Sequence, residues 1–145
     1  MLIGEYTHTL DAKNRISLPA KFRKELGPKV VVTNGLDNCL FIFSIKEWSA
    51  FSGELGKLSL VQGDKRKFTR FMLGGASEVE VDAIGRILIP EYLQDFAKLK
   101  NKVVLAGVHS RVEVWGEKQW DEYKKGVGKD IDVLAEKLGE AGALG

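Results

Sequence analysis

An aspartate and an arginine spaced four residues apart occur twice in this 145-residue chain. Asp11 and Arg15 return as Asp82 and Arg86, and each arginine is followed directly by an isoleucine and, four residues on, by a proline. A carboxylate in such a position can accept backbone N–H groups and so shape a turn. An arginine that leaves a turn can pair with a carboxylate, a phosphate or a base edge. The spacing therefore predicts two shaped turns, each of which carries a cation.

The residue before each arginine supports this prediction. It is Asn14 in the first copy and Gly85 in the second, and these are the residue types that best tolerate positive φ. Two interpretations of the arginines stay open: either they lock the fold by pairing with their own aspartate or the other repeat, or they project towards phosphate or base edges. We favour projection for Arg15 and the structural role for Arg86, so Arg86→Ala is expected to harm folding or assembly more.

The similarity extends beyond the turns, so it defines the unit from which the fold is built. Residues 11–19 match residues 82–90 at an offset of 71, and residues 31–48 match residues 103–120 at an offset of 72. A single inserted residue between the two stretches would explain the change of offset. Each copy is predicted to contain a strand, the turn, a short extended segment, a helix, two strands and a last helix.

The two repeats differ in charge. Residues 1–72 hold 12 Lys and Arg against 7 Asp and Glu, whereas residues 73–145 hold 10 against 13. The first turn carries a lysine where the second carries an isoleucine, and more basic residues follow in the next helix. An anionic partner is therefore expected for the first repeat. Its candidate contacts are Arg15, Lys13, Lys21 and Arg23.

Four segments are expected along the chain. They are residues 1–55, the basic first repeat; 56–75, a connecting basic helix; 76–125, the second repeat; and 126–145, a weakly ordered tail. In the connecting helix, Lys65-Arg66-Lys67 either contacts phosphate or forms a solvated face. The helix after Pro90 is expected to reach Lys100, and the last helix to span Lys118–Lys124. Trp48 and Trp120 lie on apolar helix faces, which favours core packing over base stacking.

Other chemistry finds little support in the sequence. No apolar run approaches 18 residues, so no membrane segment is expected. The lone Cys39 fits a reducing, cytoplasmic setting, and two histidines give no zinc spacing. Paired acids for hydrolysis are conceivable, but no nucleophile and base accompany the two aspartates. We therefore expect no catalytic or metal site, no cofactor and no small-molecule substrate.

At these residues the chain resembles the MraZ family of bacterial transcriptional regulators. The resemblance covers Met1 to about Lys125 and rests on the doubled Asp-x-x-x-Arg, with Arg15–Phe22, Phe68–Gly75 and Gly85–Pro90. Such proteins resemble two fused SpoVT-AbrB modules. The resemblance therefore implies an α+β, β-rich fold with two tandem swapped-hairpin repeats. These would form a double-split barrel, one pseudo-twofold body with short peripheral helices.

The resemblance also implies a function. Family members bind double-stranded DNA at short direct repeats upstream of the division and cell-wall gene cluster, and they assemble into homo-oligomeric rings. For this chain it makes Arg15 and Lys13 the first DNA contacts, with Arg86 as a further one, in a regulator of the cytoplasmic nucleoid. The alternative is a protein-interaction or scaffold module of AbrB-like fold without DNA affinity.

Overall fold

The computed structural model describes residues 1–143, and within that range the chain has eight strands and five helices. The elements are, in chain order, β1 (Leu2–Thr9), β2 (Arg15–Ser17), α1 (Ala20–Leu26), β3 (Lys29–Asn34), β4 (Leu40–Ser44), α2 (Ile45–Gly56), α3 (Gly63–Gly74), β5 (Ser77–Glu80), β6 (Arg86–Leu88), α4 (Glu91–Ala97), β7 (Lys102–His109), β8 (Val112–Gly116) and α5 (Glu117–Glu140). The α+β class is confirmed. The chain is not β-rich, however, and its helices are not all short, because α5 alone has 24 residues.

Strand exchange joins the two repeats. Six strands form one antiparallel sheet in the order β1-β7-β8-β4-β3-β5, and β2 and β6 form a separate two-stranded ribbon. The first strand of each repeat pairs with a strand of the other, β1 with β7 and β5 with β3. Neither repeat therefore completes its share of the sheet alone.

The registers also relate the repeats by a pseudo-twofold axis. β4 meets β8 with Phe41 opposite Glu113, and β2 meets β6 with Ile16 opposite Ile87. In each case the two facing residues are equivalent positions of the two repeats. Exchanging the repeats therefore leaves both pairings unchanged.

The same registers correct the predicted insertion. β3 aligns on β7 at an offset of 73, with Val30 equivalent to Val103, while β4 aligns on β8 at an offset of 72. The reason is loop length, since Gly27-Pro28 connects α1 to β3 whereas Lys98–Asn101 connects α4 to β7. The single insertion is therefore wrong: two residues are added after α4, and one is removed before β8.

Both faces of the central strands are buried, and in these strands alternate residues enter different cores. In β4, Leu40 and Ile42 join a first core, and Phe41 and Phe43 join a second. The first core includes Phe22 of α1 and the central residues of the β2–β6 ribbon. This packing fixes the ribbon, and with it the turns at its two ends, against the sheet.

The last two helices differ from their predicted extents. α4 ends at Ala97 because Lys98 adopts a left-handed conformation, φ 54°, so Lys100 lies outside it. α5 continues past Lys124 and through Gly126 and Gly128. Glycine weakens a helix interior by about 1 kcal/mol, but extending an existing helix is much easier than starting one.

The final segment of the chain is exposed. From Asp121 to Ala143 every residue except the half-buried Val127 is exposed, so α5 leaves the body after its first turns. The weak order of residues 126–145 stays a prediction, and Leu144 and Gly145 lie outside the described residues. No helix within residues 1–143 combines the length and apolarity needed to cross a membrane.

Candidate functional site

The first turn, residues 11–15, is built around the carboxylate of Asp11. Its Oδ1 accepts the backbone N–H groups of Lys13 and Arg15, both at 2.9 Å, and its Oδ2 accepts Nε of Arg15 at 3.0 Å. Asn14 takes φ 64° and donates its N–H to the Asp11 carbonyl at 3.0 Å. One carboxylate thus fixes both the backbone of the turn and the inner nitrogen of its arginine.

The second turn, residues 82–86, repeats this geometry. Asp82 Oδ1 accepts the N–H groups of Ile84 at 3.1 Å and Arg86 at 2.8 Å, and its Oδ2 accepts Nε of Arg86 at 2.7 Å. Gly85 takes φ 85° in the position of Asn14. The two turns therefore form one structure, although Lys13 and Asn14 of the first are replaced by Ile84 and Gly85 in the second.

Both aspartates are held in the ionised state. The backbone N–H of Arg15 is the largest cause that lowers the pKa of Asp11 below its ordinary value, and the N–H of Arg86 acts likewise on Asp82. Desolvation opposes this effect, while the arginine side chains reinforce it. Each turn consequently contains an ion pair at neutral pH.

The two arginines have the same contacts. Their side chains are 26% exposed for Arg15 and 28% for Arg86, and each Nε is bound to its own aspartate. Within residues 1–143, neither arginine has a hydrogen-bond partner for its terminal nitrogens. A guanidinium offers five N–H donors, so pairing with Asp leaves donors that can bind an external phosphate or base. The two interpretations of the sequence are therefore compatible.

The surroundings, by contrast, distinguish the turns. Lys13 is exposed in the first turn, where the second presents Ile84, which is 64% exposed. The guanidinium of Arg23 lies over Gly85, where a Cβ would collide with it. The structure therefore places Arg23 at the second turn, although it belongs to the first repeat. Lys21 is exposed on α1.

The β2–β6 ribbon sets the distance between the turns. The backbone carbonyl of Asn14 accepts the N–H of Ile89 at 2.8 Å, and the backbone carbonyl of Gly85 accepts the N–H of Leu18 at 2.9 Å. The turns thus flank opposite ends of a ribbon of three paired residues. At about 3.3 Å per residue, they lie roughly 10 Å apart along the strands.

Further positive charge lies beside the first turn. An open cavity there is lined by four lysines outside the repeated motif: Lys98, Lys100, Lys102 and Lys118. Leu10, which precedes the turn, donates its N–H to Asn101 at 2.8 Å, and Thr9 pairs with Lys102. The net charge of each repeat does not reveal this cluster. Its lysines belong to the second repeat in sequence, but the pairing of β1 with β7 places them near the first turn. The alternation of Lys98, Lys100 and Lys102 is the feature of the sequence from which this basic cluster could have been predicted.

Among the remaining candidates, Arg66, Trp48, Trp120 and Cys39 have contacts within the protein, whereas two lysines form no hydrogen bond or ion pair within residues 1–143. Arg66 donates Nη1 to the carbonyl of Leu60 at 2.8 Å, while Lys65 and Lys67 are exposed. As predicted, Trp48 and Trp120 pack against the second core, through Phe43 and Trp115. The Cys39 thiol is buried, and burial raises its pKa.

Comparison with known proteins gives a consistent result. A family model described as "MraZ protein, putative antitoxin-like" matches residues 1–71 and again residues 72–132. The chain is 50% identical to "Transcriptional regulator MraZ" of Caldanaerobacter subterraneus subsp. tengcongensis, over 95% of this chain and 96% of the relative. Proteins of the same name from Thermoanaerobacter sp. (strain X514) and Caldicellulosiruptor saccharolyticus are 49% and 47% identical. These two alignments cover 95% and 98% of this chain, and 96% and 99% of the respective relatives.

Proposed function

Because the chain belongs to the MraZ family, we propose that it is a sequence-specific DNA-binding transcriptional regulator that acts at the nucleoid. The observation that supports this most is the doubled turn. In each copy Asp fixes the arginine through Nε and leaves the terminal nitrogens unbound within residues 1–143. A guanidinium held in this way is suited to a phosphate or to the acceptors of a guanine.

The first turn supplies the main DNA contacts in this proposal. Arg15 presents its fork, and Lys13 adds an exposed charge that the second turn lacks. Arg86 is a second contact on the same duplex, with Arg23 beside it. Lys21 adds a backbone contact. Asp11, Asn14, Asp82 and Gly85 shape the turns and do not read bases.

The repeats themselves are, in this proposal, swapped-hairpin modules of the SpoVT-AbrB type that close a double-split barrel. The exchange of β1 onto β7 and of β5 onto β3 supports this arrangement. So does the ribbon in which Ile16 faces its equivalent, Ile87. The arrangement would explain why the turns of two different repeats flank one ribbon.

We further propose that subunits form a ring that binds direct repeats upstream of the division and cell-wall gene cluster. Two exposed apolar regions support self-association: Ile3 on the edge strand β1, and Ile131, Leu134 and Leu138 on α5. Several turns on one rigid ring would raise avidity about 100-fold where the spacing matches. Native mass spectrometry of the free protein should give one closed oligomer, and a monomer would contradict the ring.

A gel-shift assay with the protein's own upstream DNA tests the proposed function. We expect retardation of the natural duplex and much weaker retardation of a duplex in which the direct repeats are scrambled. The same loss is expected when Arg15→Ala is tested on the natural duplex. Equal retardation of both duplexes would contradict sequence-specific binding.

The apolar side of α5 favours one alternative, an interaction module without DNA affinity. Ile131 and Leu134 are 52% and 40% exposed. Exposed apolar side chains on one side of a helix favour contact with a partner over contact with water. Such a module would bind its partner with little dependence on salt. DNA binding by several cations instead loses affinity steadily as salt rises.

A further inference from the structure

The cavity beside the first turn carries an uncompensated positive charge. It has a volume of about 620 Å³ and lies between the α4–β7 connection and the start of α5. Lys98, Lys100, Lys102 and Lys118 line it, and Glu117 is the one carboxylate among the lining residues. None of these five side chains forms an ion pair within the part of the chain that the structure describes. We call it the lysine cavity.

The pseudo-twofold axis provides an internal comparison. The equivalent space beside the second turn, the counterpart cavity, measures about 360 Å³. Lys29 and Lys46 line it, and they are the equivalents of Lys102 and Lys118 in the first repeat. Two glutamates, Glu25 and Glu47, line it as well. Lys29 also pairs with Glu78 at 3.8 Å. Glu25 in turn pairs with the N-terminal ammonium of Met1. The side chains that line the counterpart cavity thus balance two lysines with two glutamates, whereas the lysine cavity has four lysines and one glutamate.

The additional charge has a defined origin. Lys98 and Lys100 lie in the connection after α4, which is two residues longer than its equivalent, Gly27-Pro28. Leu99, buried between them, anchors this connection to the first core. The longer connection thus places two cations where the other repeat has none.

The helix ends differ in the same direction. In α2, Ser44 Oγ accepts the N–H of Glu47 at 3.1 Å and so caps the helix. At the equivalent end of α5 the residue is Gly116, which has no side chain to cap with. The first N–H groups of α5 therefore have no side-chain cap beside the four lysines. The amide oxygen of Gln119 lies over Gly116 without capping the helix, so an external anion that accepts from these N–H groups would displace it.

We propose, building on the DNA-binding function above, that the lysine cavity holds a backbone phosphate of the DNA that the first turn contacts. The wall of the cavity is joined to this turn through the bond from Leu10 to Asn101 and the pairing of Thr9 with Lys102. A phosphate contact here carries no sequence information but fixes register. It would set the position of Arg15 over the bases.

Matched double variants of the full chain test this proposal. Lys102→Gln/Lys118→Gln removes two charges from the lysine cavity, and Lys29→Gln/Lys46→Gln removes the equivalent two from the counterpart cavity. We expect the first variant to weaken binding to natural and scrambled duplexes alike. Its slope of log affinity against log salt should become shallower by about 0.9 for each subunit that engages the DNA, the value for one phosphate contact per cavity. The second variant should keep the wild-type slope, and equal effects of both would overturn the proposal.

A second readout separates DNA from a free anion. Inorganic phosphate should shift the amide NMR signals of Gly116 and Lys118 in the wild type, and not in Lys102→Gln/Lys118→Gln. These shifts with an unchanged DNA slope would assign the cavity to a free phosphate and overturn the DNA assignment. Absence of both effects would overturn the site itself. If the wild type binds no DNA at all, the proposed function fails first, and the phosphate shifts alone decide whether the cavity binds anions.

Discussion

Each motif arginine can stabilise its own turn and bind an external acceptor at the same time. The bond from Nε of Arg15 to Asp11 fixes the orientation of the guanidinium, and the terminal nitrogens stay unbound within the described residues. Arg86 has the same arrangement with Asp82. A side chain that is already ordered loses less conformational entropy when it binds. The aspartate therefore contributes to DNA binding by holding the guanidinium in a fixed orientation, without contacting the DNA itself.

Replacing Arg15 with lysine should separate charge from geometry. Lysine keeps the charge but lacks both Nε and the planar fork. We expect affinity for the natural duplex to fall roughly tenfold, because a fork-shaped contact is lost, while binding to scrambled DNA changes little. Fluorescence anisotropy with both duplexes measures this, and an equal fall on both would contradict a role in reading bases.

The stability of the two arginine variants revises an expectation from the sequence. The sequence predicts that Arg86→Ala harms folding or assembly more than Arg15→Ala, but each arginine pairs with the aspartate four residues before it, at similar exposure. Because such partly exposed pairs contribute little, we expect small and equal losses in Tm. A much larger loss for Arg86→Ala would restore the original expectation.

The pH dependence of Asp11 provides a further prediction. Its pKa in the folded protein lies below the ordinary value of 3.8. The ionised carboxylate therefore stabilises the fold above pH 3.8, and this contribution is lost as pH falls through the folded pKa. Asp11→Asn should lower Tm at neutral pH, and its difference from wild type should shrink as pH drops below 3.8. A difference that stays constant during acid titration would contradict this cause.

Gly85 and Asn14 should respond unequally to alanine. At φ 85° Gly85→Ala forces an L-residue into the left-handed region, at a cost of about 1–2 kcal/mol. It also displaces Arg23. Asn14→Ala, at φ 64° and exposed, should cost less, because asparagine already bears a Cβ there. Urea midpoints measure both changes. Equal losses of stability would show that moving the Arg23 side chain away from residue 85 costs no measurable free energy, and would contradict the prediction.

At the scale of elements, strands and turns follow from local pattern. The Asp-to-Arg spacing predicts the turns, and the repeat predicts the order of elements, because both depend on neighbouring residues. The pairing of β1 with β7 does not follow in this way, since strand exchange joins residues about 100 positions apart. The length of α5 was missed because Gly126 and Gly128 read locally as a stop.

The exposed half of α5 supports a prediction about local stability. Gly126→Ala/Gly128→Ala should increase helix content, because each glycine costs roughly 0.5–1 kcal/mol relative to alanine. The Tm of the body should stay unchanged, since beyond the adjoining helix backbone no atom of the described residues lies within 4 Å of the site a Cβ would occupy. Circular dichroism and hydrogen exchange measure the two effects. An unchanged exchange rate beyond Gly128 would contradict the prediction.

At the scale of the whole molecule, strand exchange redistributes charge. The first repeat is the more basic in sequence, yet Lys98 and Lys102 of the second repeat lie beside the first turn. Arg23 of the first repeat lies beside the second turn. Net charge per repeat therefore predicts that a cationic surface exists, but not which residues compose it.

The most direct test of DNA binding by the first turn is the salt dependence of affinity for the protein's upstream duplex, compared between wild type and Arg15→Ala. The wild type should lose affinity linearly on a log–log plot. Arg15→Ala should bind more weakly, with a slope shallower by about 0.9 for each subunit whose Arg15 contacts a phosphate, while native mass spectrometry shows the same assembly. Equal affinity and slope for the two proteins, or a wild type insensitive to salt, would contradict the account.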